Sequence, residues 1–257
     1  MVHTHLVFDT GIGRRKPENI VHKEASCPFC DRRGLSGILA EEGPVLWLKN
    51  KYPVFPDAYQ TVLVESYTCE EELSTYAPDH LQAVVGFGLE KWRELSRSGQ
   101  FRSVLFFKNH GPCSGGSMRH PHMQIVGLDH IDYQHSMEEE AFHGIPIWQN
   151  GEVEVNLSTR PRVGFFEFNI LLQKEGAIAP FAHGIQSVAH YILNHFHRHC
   201  SSYNLFFYEC GGAVRAKMMP RFVLSPVYVG YGIPQVSSQV EEVAEFVRTL
   251  YFAKKTY

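Results

Sequence analysis

The sequence predicts an α+β fold: two related strand–helix–strand–strand halves forming an antiparallel sheet with helices packed on it. Three observations predict it. Apolar residues recur at helical spacing in three stretches. Short apolar or alternating runs stand between them as strands. Two of those runs also recur at a fixed distance. Leu105-Phe106-Phe107 and Leu205-Phe206-Phe207 lie 100 residues apart, as do Gly111 and Gly211, which reads as an internal duplication. Chance likeness of two apolar strands is the alternative.

In order along the chain, Tyr59 to Glu65 is the first strand. A helix begins near Pro78-Asp79 and carries Leu81, Val84, Val85, Trp92 and Leu95 on one face. Val104–Phe107 is the next strand, and the histidine-bearing run His120-Pro121-His122-Met123-Gln124 follows. The second half repeats the order. Phe165 to Leu172 is a strand, and Ile185, Val188, Ala189, Ile192, Leu193 and Phe196 form a helical stripe. Leu205–Phe207 and Arg221–Leu224 are the closing strands, with Met218-Met219-Pro220-Arg221 standing where the first half has its histidines. Val240, Val243, Ala244, Val247 and Leu250 form a last helix. The stretch from Asp129 to Arg162, with Glu138-Glu139-Glu140, is the least regular and reads as a connecting flap. The expected organisation is therefore 1–128, the half with the chemistry; 129–162, the flap; and 163–257, the degenerate half.

Composition excludes several function classes. A net charge of −3 with no Lys/Arg-rich run argues against a nucleic-acid binder. No apolar stretch approaches the roughly 20 residues that span a bilayer. Met1-Val2-His3-Thr4-His5 lacks a signal pattern, so a cytoplasmic location is expected. In a reducing compartment Cys27-Pro28-Phe29-Cys30 reads as metal-binding, or as a redox dithiol, before it reads as a structural disulfide. Cys113, Cys200 and Cys210 read as small buried hydrophobes.

The histidine run carries the most information. On an extended strand alternate residues share a side, so His120, His122 and Gln124 line one face. Two imidazoles and an amide in a row suit phosphate chemistry, with one imidazole as nucleophile and the amide donating to phosphate oxygens. An edge strand with two incidental histidines is the bland alternative. Cys27 and Cys30 have the spacing of a zinc knuckle, and a tetrahedral structural site needs two further ligands. Cys69, past the end of the first strand, and His120 are the leading candidates. A second histidine group, His195, His197 and His199 beside Cys200, reads as a solvated helix end; a metal shared by His195 and His199, spaced i, i+4 on one helix face, is the alternative.

These residues resemble the galactose-1-phosphate uridylyltransferase-like and ADP-glucose phosphorylase-like members of the histidine-triad superfamily. The resemblance rests on Cys27-Pro28-Phe29-Cys30, Asn50-Lys51-Tyr52-Pro53, Val62-Leu63-Val64-Glu65-Ser66, Phe107-Lys108-Asn109 with Gly111, Gly115-Gly116-Ser117 and His120-Pro121-His122-Met123-Gln124. Met219-Pro220-Arg221 resembles the phosphorylase-type second half.

The resemblance implies a histidine-triad-like fold. It also implies nucleotidyl transfer from a UDP- or ADP-sugar by a ping-pong route through a covalent nucleotidyl-His122. The acceptor is a sugar 1-phosphate or phosphate. Gln124 and Ser117 are expected to hold phosphate oxygens, and Asn109 to orient loop or phosphate. Asn50 and Tyr52 match the base and ribose segment, and Arg14 and Arg15, with Lys16, a basic segment facing phosphates. Gln124 favours transfer, since the superfamily's hydrolases usually carry a third histidine there. A nucleotide-binding protein that has lost transfer, or a nucleotide hydrolase, are the other readings. One structural zinc is expected on Cys27, Cys30, Cys69 and His120, with Cys69 where the family usually has His. A second metal is not expected, because Met219-Pro220-Arg221 replaces the His-x-His it needs. The relatives are commonly dimers, which leaves a homodimer open.

Overall fold

The computed structural model describes residues 5–253; Met1–Thr4, part of the segment read for a signal pattern, lie outside the described residues, as do 254–257. The chain divides into two compact units at residues 136 and 137. Each is an antiparallel sheet with helices packed on it, so the fold is α+β.

In the first unit a single helical turn, α1 (Thr10–Gly13), is capped by Asp9, whose side chain accepts from Ile12 N. Strands β1 (Ile38–Glu42) and β2 (Val45–Lys49) form a hairpin and are followed by β3 (Ala58–Val64). Helix α2 (Pro78–Arg97) then leads to β4 (Ser103–His110) and β5 (His122–Leu128). Proline at its start and a buried stripe of Leu81, Val84, Val85, Leu89 and Trp92 account for α2. Trp92 anchors it by donating Nε1–H to Val104 O at 2.9 Å. The spatial order is β1-β2-β3-β5-β4. Val64 lies opposite His122 and Val62 opposite Gln124, while Lys108 lies opposite Met123.

The second unit has the same plan. β6 (Gly144–Gln149), β7 (Val153–Ser158) and β8 (Phe168–Leu172) precede helix α3 (Ile178–Tyr191), which is prolonged by a π turn over Ile192–Phe196. β9 (Tyr203–Cys210) and β10 (Ala213–Pro220) follow, then α4 (Pro226–Tyr231) and α5 (Val240–Val247). The order β6-β7-β8-β10-β9 repeats that of the first unit strand for strand. β4 and β9 begin 100 residues apart, at Ser103 and Tyr203, as the sequence spacing predicts.

The strand–helix–strand–strand repeat stands in both units, as β3-α2-β4-β5 and β8-α3-β9-β10, and each unit has a hairpin ahead of it. Three other expectations are corrected. The second of these hairpins, β6–β7, occupies much of the segment read as a flap, 129–162. Val153, Val155 and Leu157 face its core, while Asn156 and Ser158 are buried too, so polar residues hide the alternation. Arg221–Leu224 is not a strand; β10 ends at Pro220, whose missing N–H suits a strand's end. Register also moves the duplicated position. His122 opposes the last residue of β3, and Val214 opposes Leu172, the last residue of β8. Val214 therefore stands where the first unit has its histidine, and Met218–Arg221 lies at the far end of the strand. The cause is the turn: β9 and β10 are joined through Gly211 and Gly212, both at positive φ, whereas residues 111–121 join β4 to β5.

Candidate active site

The loop from Gly111 to Pro121 delivers the histidine run to the start of β5. His120 is fully buried. Its Nε2 lies 3.0 Å from the Ser66 carbonyl, so Nε2–H donates there and the Nδ1 lone pair is left free. Nδ1 is 3.6 Å from Cys27 Sγ, 3.4 Å from Cys30 Sγ and 3.5 Å from Cys69 Sγ, and Cys30 and Cys69 are 3.4 Å apart. All four donor atoms lie within 4.8 Å of one another. A tetrahedral zinc with S and N ligands has edges of about 3.5–3.8 Å. The donor set, its spacing and the oriented imidazole fit that ion. Burial raises the Cys27 thiol, but hydrogen bonding to His120 and Cys69 outweighs it and brings the thiol down to about 6. Burial, with the facing Cys27 and Cys30 sulfurs, pushes Cys69 up to about 12. Three neighbouring thiolates thus need a cation to coexist.

His122 lines the neighbouring cleft and is not part of the thiol group. Its Nδ1 lies 2.8 Å from the His120 carbonyl, so Nδ1–H donates and Nε2 carries the lone pair. The ring is 8% exposed, and burial brings its pKa down to about 4; the charges of Lys108, His120 and Lys16 act in the same direction, against the bond to the His120 carbonyl. It is a neutral imidazole at pH 7. Phe29, between the two knuckle cysteines, packs on both rings, 5.7 Å from His120 and 5.6 Å from His122. The thiol cluster and His122 therefore share a wall.

His122 and Gln124 form the floor of a cleft of about 480 Å³. Gly115, Gly116 and Ser117 line it as well, together with Lys16, Asn50 and Tyr52. A second cleft of about 720 Å³ shares Pro17, Phe29, Asn50, Tyr52 and Val62 with the first. Leu35 and Leu48 add apolar walls there, and Asp31, Ser36 and Lys49 add polar groups. Asn50 Oδ1 accepts from Tyr52 N at 2.8 Å, which fixes the bend between them.

The residues expected from sequence fall into two groups. Cys27, Cys30, Cys69 and His120 converge, and His122, Gln124, Ser117, Asn50 and Tyr52 line one cleft. Asn109 does not line it: it packs beneath Gly116, where a Cβ would come within 3.3 Å of Asn109 Cβ. Arg14 and Arg15 are exposed and outside the lining. Lys16 is the member of that basic run in the cleft, because the chain turns inward after α1. Sequence reasoning missed Asn19, which fastens the loop by accepting from Arg119 N and donating to Ser117 O. It also missed Phe29 and a charge pair of Glu65 with Lys108. A lysine between the apolar Phe106 and the motif was the available signal. Cys200 is buried, but Cys210 is only half-buried and Cys113 is exposed. Among the described residues, His195–Cys200 forms no metal-like cluster, and no helix is long and apolar enough to cross a membrane.

Solved structures share this fold. The solved ADP-glucose phosphorylase from Arabidopsis thaliana, with bound ADP-glucose, matches with a TM-score of 0.72 and 14% identity over 95% of both chains. A uridylyltransferase matches at 0.70 with 16% identity, over 88% of this chain and 91% of that one. Such likenesses show the histidine-triad-type fold. No curated protein matches the chain. A DUF4931 family protein from Bacillus cereus is 46% identical, with a TM-score of 0.78, over 84% of this chain and the whole of that one. The models described as "Domain of unknown function (DUF4931)", N-terminal and C-terminal domains, match residues 8–131 and 134–252. The chain belongs to the DUF4931 family.

Proposed function

We propose that this protein is a nucleotidyltransferase acting on nucleoside diphosphate sugars through a covalent nucleotidyl-His122. The observation that carries the reading is the His122 ring, buried at the cleft floor with Nδ1–H tied to the His120 carbonyl and Nε2 bearing the lone pair. His122 Nε2 attacks the α-phosphorus of the donor. The N–P bond forms as the P–O bond to the β-phosphate breaks, and the sugar 1-phosphate leaves with the electron pair. A phosphate oxygen of the acceptor, a sugar 1-phosphate or inorganic phosphate, then attacks the same phosphorus and releases His122.

This chain's residues suit each step. As the first bond forms, positive charge on the imidazole is shared with the His120 carbonyl through Nδ1–H. Lys16, Ser117 and Gln124 offer donors to the phosphate oxygens, and the Gly115-Gly116 stretch lets main chain approach closely. The second cleft, walled by Phe29, Leu35 and Leu48, suits a base. Zinc on Cys27, Cys30, Cys69 and His120 would pin the knuckle and so the Phe29 wall, with a structural part and none in the bond changes. The resemblance to a phosphorylase solved with ADP-glucose supports a nucleotide sugar as donor.

Intact-protein mass spectrometry after brief incubation with UDP-glucose or ADP-glucose, quenched at mildly alkaline pH, tests the reading. A gain of one nucleotide monophosphate is expected, absent in His122→Ala, and its mass names the base. A folded protein that gains no mass with any nucleotide sugar overturns transfer and leaves nucleotide binding.

A further inference from the structure

Beneath the histidine run lies a buried charge pair that the transfer chemistry above does not use. The side chains of Glu65 and Lys108 are 0% and 1% exposed, and Lys108 Nζ lies 2.5 Å from Glu65 Oε1. Tyr76 donates its hydroxyl to Glu65 Oε2 at 3.0 Å. Lys108 shares its face of β4 with Phe106, which packs against Trp92 of α2. The pair therefore sits on the helix side of the sheet, opposite the cleft.

Its position relative to β5 is informative. β5 runs between β3 and β4. On the β4 side the register ends at Lys108 opposite Met123, while on the β3 side it continues to Val64 opposite His122. The next residue, Glu65, donates its N–H to Pro121 O at 3.1 Å, and Ser66 O accepts from His120 Nε2. Residues 64–66 thus hold 120–122 at successive points. The Glu65–Lys108 bridge ties the two flanking strands, β3 and β4, together at the start of β5.

Stability alone is a poor account of such a pair. Desolvating two charges offsets their attraction, and apolar replacements of similar volume are often neutral or stabilising. We propose that Glu65 and Lys108, supported by Tyr76, are positioning residues for His122. Their bridge fixes the start of β5 so that the ring keeps Nδ1–H on the His120 carbonyl and turns Nε2 into the cleft. The consequence for rate rests on the transfer reading; the consequence for the ring does not.

The test is the double variant Glu65→Leu/Lys108→Met, which exchanges the pair for apolar side chains. It is expected to fold with a urea midpoint near that of the parent. Adduct formation at saturating donor should slow at least tenfold, with the half-saturating donor concentration within twofold. The ¹⁵N signals of the His122 ring should change from a single Nδ1–H tautomer to a mixture. A folded double variant with parental rate and ring signals overturns the proposal. If the double variant does not fold, Tyr76→Phe removes a single hydroxyl and carries the same test, with a smaller slowing and a partial tautomer shift expected; parental behaviour in both readouts overturns the proposal there too. The ring signals need no substrate. A parent protein that forms no adduct thus defeats the transfer reading, while the ring still decides the positioning role.

Discussion

His122 is held by one main-chain acceptor and kept from water, and both features govern its protonation. Burial, aided by the nearby charges of Lys108, His120 and Lys16, brings its pKa down to about 4. A lowered histidine pKa means that the neutral, nucleophilic form persists as pH falls and is lost only near 4. At pH 5 such a ring is about 90% neutral, whereas an ordinary imidazole with pKa about 6.5 is about 3% neutral. Under the proposed mechanism, the initial rate of adduct formation should stay nearly level from pH 7.5 to about 5 and then fall. Rates measured in zinc-containing buffer, with zinc content followed at each pH, separate this from loss of the thiol cluster. A fall centred near 6.5 with zinc retained would show that the ring titrates as if exposed. Gln124 needs no such protection: an amide donates at every pH in this range.

At the scale of elements, the hairpin β6–β7 is where sequence reasoning and structure part. Pro146 lies inside β6, and the register shifts between Pro146 and Trp148, so the two-residue period breaks as it would in a loop. In β7 the buried Asn156 donates to Phe142 O and Ser158 to Ala141 O; these polar residues sit inside because they satisfy the main chain of the preceding turn. The hairpin closes over Gly144. A Cβ there would come 2.1 Å from Leu157 O and 2.5 Å from Leu157 C, and main chain does not yield as a side chain does. Gly144→Ala should therefore destabilise the fold by about 3 kcal/mol or more, read as a lower urea midpoint; an unchanged midpoint would mean that the hairpin accommodates a methyl group. Helices α2 and α3 were legible because each carries an uninterrupted apolar stripe on one face. β4 and β9 were legible because their apolar cores repeat at the same distance as the strands themselves. Phe29, Asn19 and the Glu65–Lys108 pair were not, since each acts through contacts far away in sequence.

Across the whole molecule, a duplicated plan carries one set of chemical groups. Both units order their strands alike, and each places a helix between its third and fourth strands. They differ at the turn into the last strand. The first unit spends residues 111–121 there, enough chain for the Gly115–Ser117 rim and for His120 to reach the thiols. The second turns through Gly211-Gly212 and puts Gly212, Val214 and Ala216 where the first has His120, His122 and Gln124. Val214 is 1% exposed: the position became core. The knuckle has no counterpart either, since the one Cys/His group of this kind among the described residues is Cys27, Cys30, Cys69 and His120. The duplication therefore predicts stoichiometry. At saturating donor the intact mass should rise by a single nucleotide per chain, although the protein holds 15 histidines. Metal analysis of the purified protein should return one zinc per chain, and Cys27→Ser should lose most of it with a lower melting temperature. A second nucleotide that survives in His122→Ala would place chemistry in the second unit, and two zinc ions per chain would require ligands that the Cys27–His120 group does not contain. One nucleotide and one zinc, both lost through first-unit substitutions, would mean that the second copy kept the fold and gave up the site.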